Sequence, residues 1–341
     1  MSTQDTRAAV YSQRISLLSG ELASANSVLM ELESRPSRLD SKIGGFPSRI
    51  ANIRKGNYLI QTSLESDQAQ LSASWKNASI TVKDQIRTNA QICRAQIAAL
   101  EGEVRSRSAF MDDPSHLNDL EARIQLVVSS VNTLSRNAQS ALGSIESLAE
   151  RLEQSLALAE KTVQLTQSAS FKWAENECPV VAVNAKDMNK DVDGVLTLTN
   201  HRIILESVKE IVLKKTLFIA TEKKKVREVA FEGPVGSINS LIKGRVGILA
   251  GVGLYIDFKP QAGLPPFKLD TKSDEADNIV RYYGLISSGQ VDDELSKLSK
   301  VPEKEETKVI ACPRCGAPYT DEIYRGQTTV TCKYCGSNIT V

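Results

Sequence analysis

Cys312 and Cys315, followed by Cys332 and Cys335, form two Cys-x-x-Cys-Gly knuckles separated by sixteen residues. Each knuckle places two soft thiolate donors on one tight turn, and the glycine after the second cysteine permits the positive φ such turns need. Two pairs at this spacing predict a tetrahedral four-cysteine zinc site. Four protein ligands leave no open coordination position, so the expected role is structural rather than catalytic. Iron on the same four thiolates and redox chemistry of each pair are the alternatives. The surrounding 309–341 segment is poor in apolar residues. Metal binding, worth roughly 10 kcal/mol or more in small finger peptides, would supply its folding free energy.

No other spacing in the chain names a reaction. His116 and His201 have no neighbouring nucleophile or carboxylate at a catalytic interval, and the glycines at 244, 247, 251 and 253 make neither a dinucleotide fingerprint nor a P-loop. Cys93 reads as a small apolar residue, and Cys178 carries no motif. The expectation is a chain that is not an enzyme. A second cluster could bind without reacting: Lys214, Lys215, Lys223, Lys224, Lys225, Arg227, Lys243 and Arg245 outnumber the nearby acids. Thr221–Lys225 reads as a hairpin tip, and each base close to an anionic surface contributes about 1 kcal/mol. A solvated strand edge blunted with lysine accounts for the same residues.

Elements must carry these groups. Residues 1–171 follow a heptad rhythm, seen at Tyr11, Ile15, Leu18, Leu22, Ala25, Leu29 and Leu32. It recurs at Leu120, Ile124, Val127, Val131, Leu134, Ala138, Ala141, Ile145, Leu148 and Leu152, after which the spacing implies a four-residue stutter. Pro36, Gly44, Gly45 and Pro47 predict a break between 34 and 48, and Asp113-Pro114 a restart. Helices are expected near 5–33, 48–109 and 115–171, folding into an antiparallel coiled coil, with dimerisation through the same seam as the competing arrangement.

From Glu177 the period falls from 3.5 to 2, and short strands, one of them expected at Val246–Leu249, follow up to Thr271 before a helix opening at Ser273. Within this stretch Gly194-x-Leu196-x-Leu198-Thr199-Asn200-x-Arg202-Ile-Ile resembles the hairpin of GRAM and PH-like domains. That resemblance, covering about 177–288, implies a PH-like β-barrel closed by a C-terminal helix. It implies docking on a phosphoinositide, peptide or protein without choosing among them. The segment 309–341 is similar to zinc ribbons. Residues 289–308 have linker composition, so the ribbon is expected to move relative to the barrel.

The net charge of +1 points to neither nucleic acid nor membrane as a whole-chain partner. The start MSTQDTRAAV shows no signal peptide, and thiols kept for metal fit a reducing compartment. The resulting expectation is a multidomain α+β, non-enzymatic cytoplasmic scaffold or adaptor. Protein partners would use the coiled coil and the zinc ribbon, an anionic membrane surface would be met through the PH-like domain, and homo-oligomerisation stays open. The alternative is a nucleic-acid-associated zinc-ribbon protein, against which stands the sparse charge of 309–341, where Arg314, Arg325 and Lys333 are the bases.

Overall fold

A computed structural model describes residues 3–108, 114–216, 219–246, 251–298, 310–321 and 323–341; side chains at 3–5, 114, 116, 210–216 and 219–225 are outside the description. The chain divides into two compact units. The first comprises Met1–Pro47 with Glu65–Gln154, and the second Ser48–Leu64 with Ser155–Val341. The division falls inside two of the helices, where a single helical domain over 1–171 was expected. Residues 48–64 and 155–171 belong with the sheet because their side chains pack there.

Three long helices supply the first unit: α1 (Thr3–Lys55), α2 (Leu64–Ser108) and α3 (Asn118–Thr166), the last preceded by a 3-10 turn at Pro114–Leu117. Ion pairs give their directions. Arg14 meets Glu121 and Arg35 meets Glu146, so α1 runs parallel to α3. Asp40 accepts from Trp75 at 2.8 Å and Lys83 at 2.6 Å, while Arg94 pairs with Glu33, so α2 runs back along α1. Arg123 of α3 reaches Glu103 of α2. The apolar stripes of the three helices are therefore buried against one another within one chain.

The break expected at 34–48 does not occur. Helix α1 passes through both prolines, because the seam keeps its phase: Leu32, Pro36, Leu39, Ile43 and Phe46 are all buried. Burying a large apolar side chain contributes about 1.5–3 kcal/mol, enough together to offset roughly 3 kcal/mol for each interior proline. The stutter in α3 also sits earlier than expected. Leu142 and Ala149 are buried while Ala141 and Leu148 face out, so the four-residue step falls at Leu134–Ala138–Leu142.

This arrangement predicts the effect of removing each proline. Pro47 is exposed, so Pro47→Ala should stabilise the first unit by about 2–3 kcal/mol. Pro36→Ala should gain less, because the same helical benefit is reduced by two lost buried methylenes at about 0.8 kcal/mol each. Urea melts of the two variants check the order, and a larger gain at position 36 would contradict it.

In the second unit, seven antiparallel strands form one unclosed sheet: β1 (Pro179–Asp187), β2 (Val192–Thr199), β3 (Arg202–Thr216), β4 (Ile219–Pro234), β5 (Ile238–Val246), β6 (Gly251–Phe258) and β7 (Phe267–Asp270). Their spatial order is β4-β3-β2-β1-β7-β6-β5, so a closed barrel is not observed. Thr221–Lys225 is not a hairpin tip: it lies within β4, with Lys223, Lys224 and Lys225 paired to Val212, Ile211 and Glu210. That run holds no Gly, Pro or Asn to turn the chain. The strand expected at Val246–Leu249 falls mostly outside the described residues, and β5 ends at Val246.

Helix α4 (Ser273–Ser287) buries Ala276, Ile279, Tyr282 and Ile286, and α5 (Gln290–Leu298) occupies much of the expected linker. The turn after α1 joins this unit as well. Asn57 is a left-handed terminator at φ 62, and its side-chain amide donates to the Glu177 carbonyl at 3.0 Å. Thr162 of α3 accepts the Ala182 N–H of β1 at 3.2 Å. Lys161 pairs with Glu275 at the start of α4.

Candidate metal centre and its seat on the sheet

The two knuckles are near copies. Gly316 (φ 71) donates to the Cys312 carbonyl at 2.8 Å, and Gly336 (φ 70) to the Cys332 carbonyl at 2.9 Å. Strands β8 (Thr329–Thr331) and β9 (Asn338–Thr340) pair antiparallel and carry the second knuckle between them. All four Sγ atoms lie within 4.8 Å of one another. Cys312 and Cys335 are separated by 3.5 Å, and Cys315 and Cys332 by 3.7 Å. A tetrahedral zinc with Zn–S bonds of about 2.3 Å requires sulfur–sulfur edges of about 3.8 Å, so the donor set is compatible with zinc.

Ser337 stands behind this cluster, its Oγ 3.2 Å from Cys312 Sγ and 2.9 Å from Cys335 Sγ. Its hydroxyl holds the Cys312 thiol down to about 6. Cys315 goes the other way: an Ala317 backbone hydrogen bond acts to lower it, yet burial and the three neighbouring thiols push it up to about 12. Four thiols crowded together cannot all ionise unaided, and a cation at their centre removes the conflict. The apolar core beneath is small, consisting of Cys312, Val330, Cys332 and Ile339 with Ile310, Tyr319, Cys335 and Val341 against it.

The segment between the knuckles, expected to belong to a tethered module, is seated on the sheet. Arg325 donates through Nε to the Asn200 carbonyl at 2.8 Å, through Nη1 to the Ile286 carbonyl at 2.5 Å, and through Nη2 to Asp292 at 2.7 Å. Its own carbonyl accepts the Gly236 N–H at 3.1 Å. Gly326, at φ +83, lies so close to the hairpin that a Cβ there would stand 1.7 Å from the His201 carbonyl oxygen. Tyr324 is buried, with Lys259 Nζ 4.8 Å from its ring centre. Composition at 289–308 could not reveal this contact, because apart from Asp292 the hydrogen-bond partners of Arg325 are main-chain groups distant in sequence.

The polar residues of the Gly194–Arg202 hairpin prove to be internal fastenings. Thr199 Oγ1 accepts the His201 and Arg202 N–H groups at 3.0 and 2.7 Å and donates to Glu177 at 2.6 Å. Asn200 accepts the Cys178 N–H at 2.9 Å and donates to the Asn176 carbonyl at 3.0 Å. Arg202 binds the fully buried Glu177 carboxylate through Nε at 2.9 Å and Nη2 at 2.5 Å, and reaches Glu232 and the Lys172 carbonyl. Desolvation acts to raise the Glu177 carboxyl, but Arg202, the Ala174 N–H and Thr199 together hold it below its ordinary value. Glu177 has no motif that would mark it as the buried partner of Arg202.

Of the basic residues, Arg227, Lys243 and Arg245 have described side chains. Arg227 donates to the Leu165 carbonyl and lies 3.7 Å from the buried Glu206 carboxylate. Lys243 pairs with Asp277 of α4 at 2.7 Å, and Arg245 is exposed. The side chains of Lys214, Lys215, Lys223, Lys224 and Lys225 lie outside the described residues, as does that of His116. Burial lowers His201, and it pushes the Cys178 thiol up to about 12.

No described helix is long and apolar enough to cross a membrane. No protein-family model matches the chain, and no curated protein matches it. Among solved structures it is similar to autoinhibited Vav1, at 9% identity and a TM-score of 0.26, over 94% of this chain and 67% of that one. It is also similar to the DH/PH domains of p115-RhoGEF, at 14% identity and a TM-score of 0.24, over 88% and 99% of the respective chains. At such scores the likeness assigns neither a fold nor an activity.

Proposed function

We propose that this chain is a non-enzymatic cytoplasmic scaffold, built from a helical bundle, a PH-like sheet unit and a C-terminal zinc ribbon. The observation that carries the reading is the four-thiol cluster, whose edges suit a closed tetrahedral metal and leave no position for substrate. The strand order, with α4 following β7, suits the PH-like assignment. Protein docking is the favoured use of the sheet unit over an anionic membrane, because Arg227 and Lys243 are already engaged within the chain. Zinc would serve here as a fold-holding ion: Cys312, Cys315, Cys332 and Cys335 would bind it, and Ser337 would steady two of the thiolates.

Metal analysis of the reduced, purified full chain tests the site. The expected result is about one zinc per chain, falling to near zero in a Cys312→Ser, Cys335→Ser double variant. A folded parent chain without stoichiometric zinc would sink the assignment. Co-sedimentation with vesicles containing phosphatidylserine separates the two docking modes, and no sedimentation is expected at physiological salt.

A further inference from the structure

Segment Tyr324–Gly326 covers three neighbouring pieces of the sheet unit: the Asn200–His201 hairpin tip, the 3-10 turn Val235–Ser237 and the end of α4. Two features make this a fitted contact. Gly326 admits the His201 carbonyl where any Cβ would block it, and a Cβ on Gly236 would fall 2.5 Å from the Arg325 nitrogen. The segment cannot hold this shape from its own core, since two of the four buried residues of the module's apolar cluster are themselves candidate ligands.

The covered groups are mostly polar: two carbonyls, one N–H and the Asp292 carboxylate. Water can satisfy each of them when the segment leaves, so uncovering strands no orphan group. Beneath the contact the tip keeps its own fastening, the Val235 N–H donating to the His201 carbonyl at 2.8 Å. The surface is therefore built to persist when bare.

We propose that metal occupancy of the four-cysteine site operates a mask over the hairpin tip. Loaded, the site holds Tyr324–Gly326 against Asn200, His201 and Gly236; emptied, it releases the segment and exposes that surface. The inference rests on the zinc reading given above.

Amide hydrogen exchange of the full reduced chain, zinc-loaded and chelator-stripped, with metal content measured in parallel, decides it. Stripping should speed exchange of the Gly236 amide, followed in the peptide spanning Gly233–Ser237, about tenfold or more, while Val235, β1 and β2 keep their protection. Arg325→Ala should give the same local increase with zinc content unchanged. Retained protection at 233–237 in a stripped chain whose 310–341 segment exchanges freely would overturn the mask, as would an Arg325→Ala chain identical to the parent. A chain that binds no zinc overturns the zinc reading and the mask together, whereas one that binds zinc and fails the exchange measurements overturns the mask alone.

Discussion

Arg202→Ala is expected to destabilise the sheet unit by about 3–5 kcal/mol, because it strands a carboxylate with no exposure to water. The guanidinium makes two bonds to Glu177 and further ones to Glu232 and Lys172. Lysine in its place would restore charge but not the planar fork, and should recover only part of the loss. For a unit of this size the alanine variant should melt on the order of 10 °C lower at neutral pH. The pH dependence has a definite sign. In the parent chain the Glu177 carboxyl is held low, so its contribution is present above the ordinary carboxylate range and fades as pH falls through the folded value. Without Arg202, burial raises that carboxyl, and protonation then relieves the stranded charge. The gap between parent and variant should therefore narrow in acid. A gap that stays constant from pH 7 to about pH 4 would mean that the ion pair is not its source.

Gly194→Ala is the second large effect, expected to cost about 3 kcal/mol or more. A Cβ at 194 would stand 2.3 Å from the backbone oxygen of Glu206, so β3 itself must move. That strand resists, because the fully buried Glu206 carboxylate accepts both the N–H and the hydroxyl of Ser170, at 2.6 and 2.8 Å. Gly20→Ala provides the contrast. Nothing lies within 4 Å of a Cβ at that position inside α1, and the exchange should stabilise by about 0.5–1 kcal/mol. Equal and small effects at the two positions, measured by urea denaturation, would show that the hairpin glycine is not required by packing.

What could be read from the sequence follows from how local each cause is. Cysteine spacing encodes the metal cluster within thirty residues, and the four Sγ atoms do come together. The helical seam was also legible, since burial follows periodicity. Its details slipped where apolar residues sit side by side: Ala141 beside Leu142, and Leu148 beside Ala149, satisfy two phases equally until packing selects one. The false break at Pro36 gave propensity priority over a seam whose phase runs unbroken through that residue. Glu177 and Arg325 were beyond reach for another reason. Most of their partners lie 22 to 125 residues away, and several are main-chain atoms that no side-chain pattern records.

The uninterrupted seam of α1 from Tyr11 to Phe46 makes the length of the bundle a quantised property. Deleting one residue there would rotate everything beyond it by about 100°, turning leucines outward and charges inward. Deleting seven leaves the stripe in place. The four-residue step at Ala138 in α3 is the other increment that the packing accommodates. Lengthening or shortening this bundle is thus a matter of whole heptads, with single insertions confined to its turns.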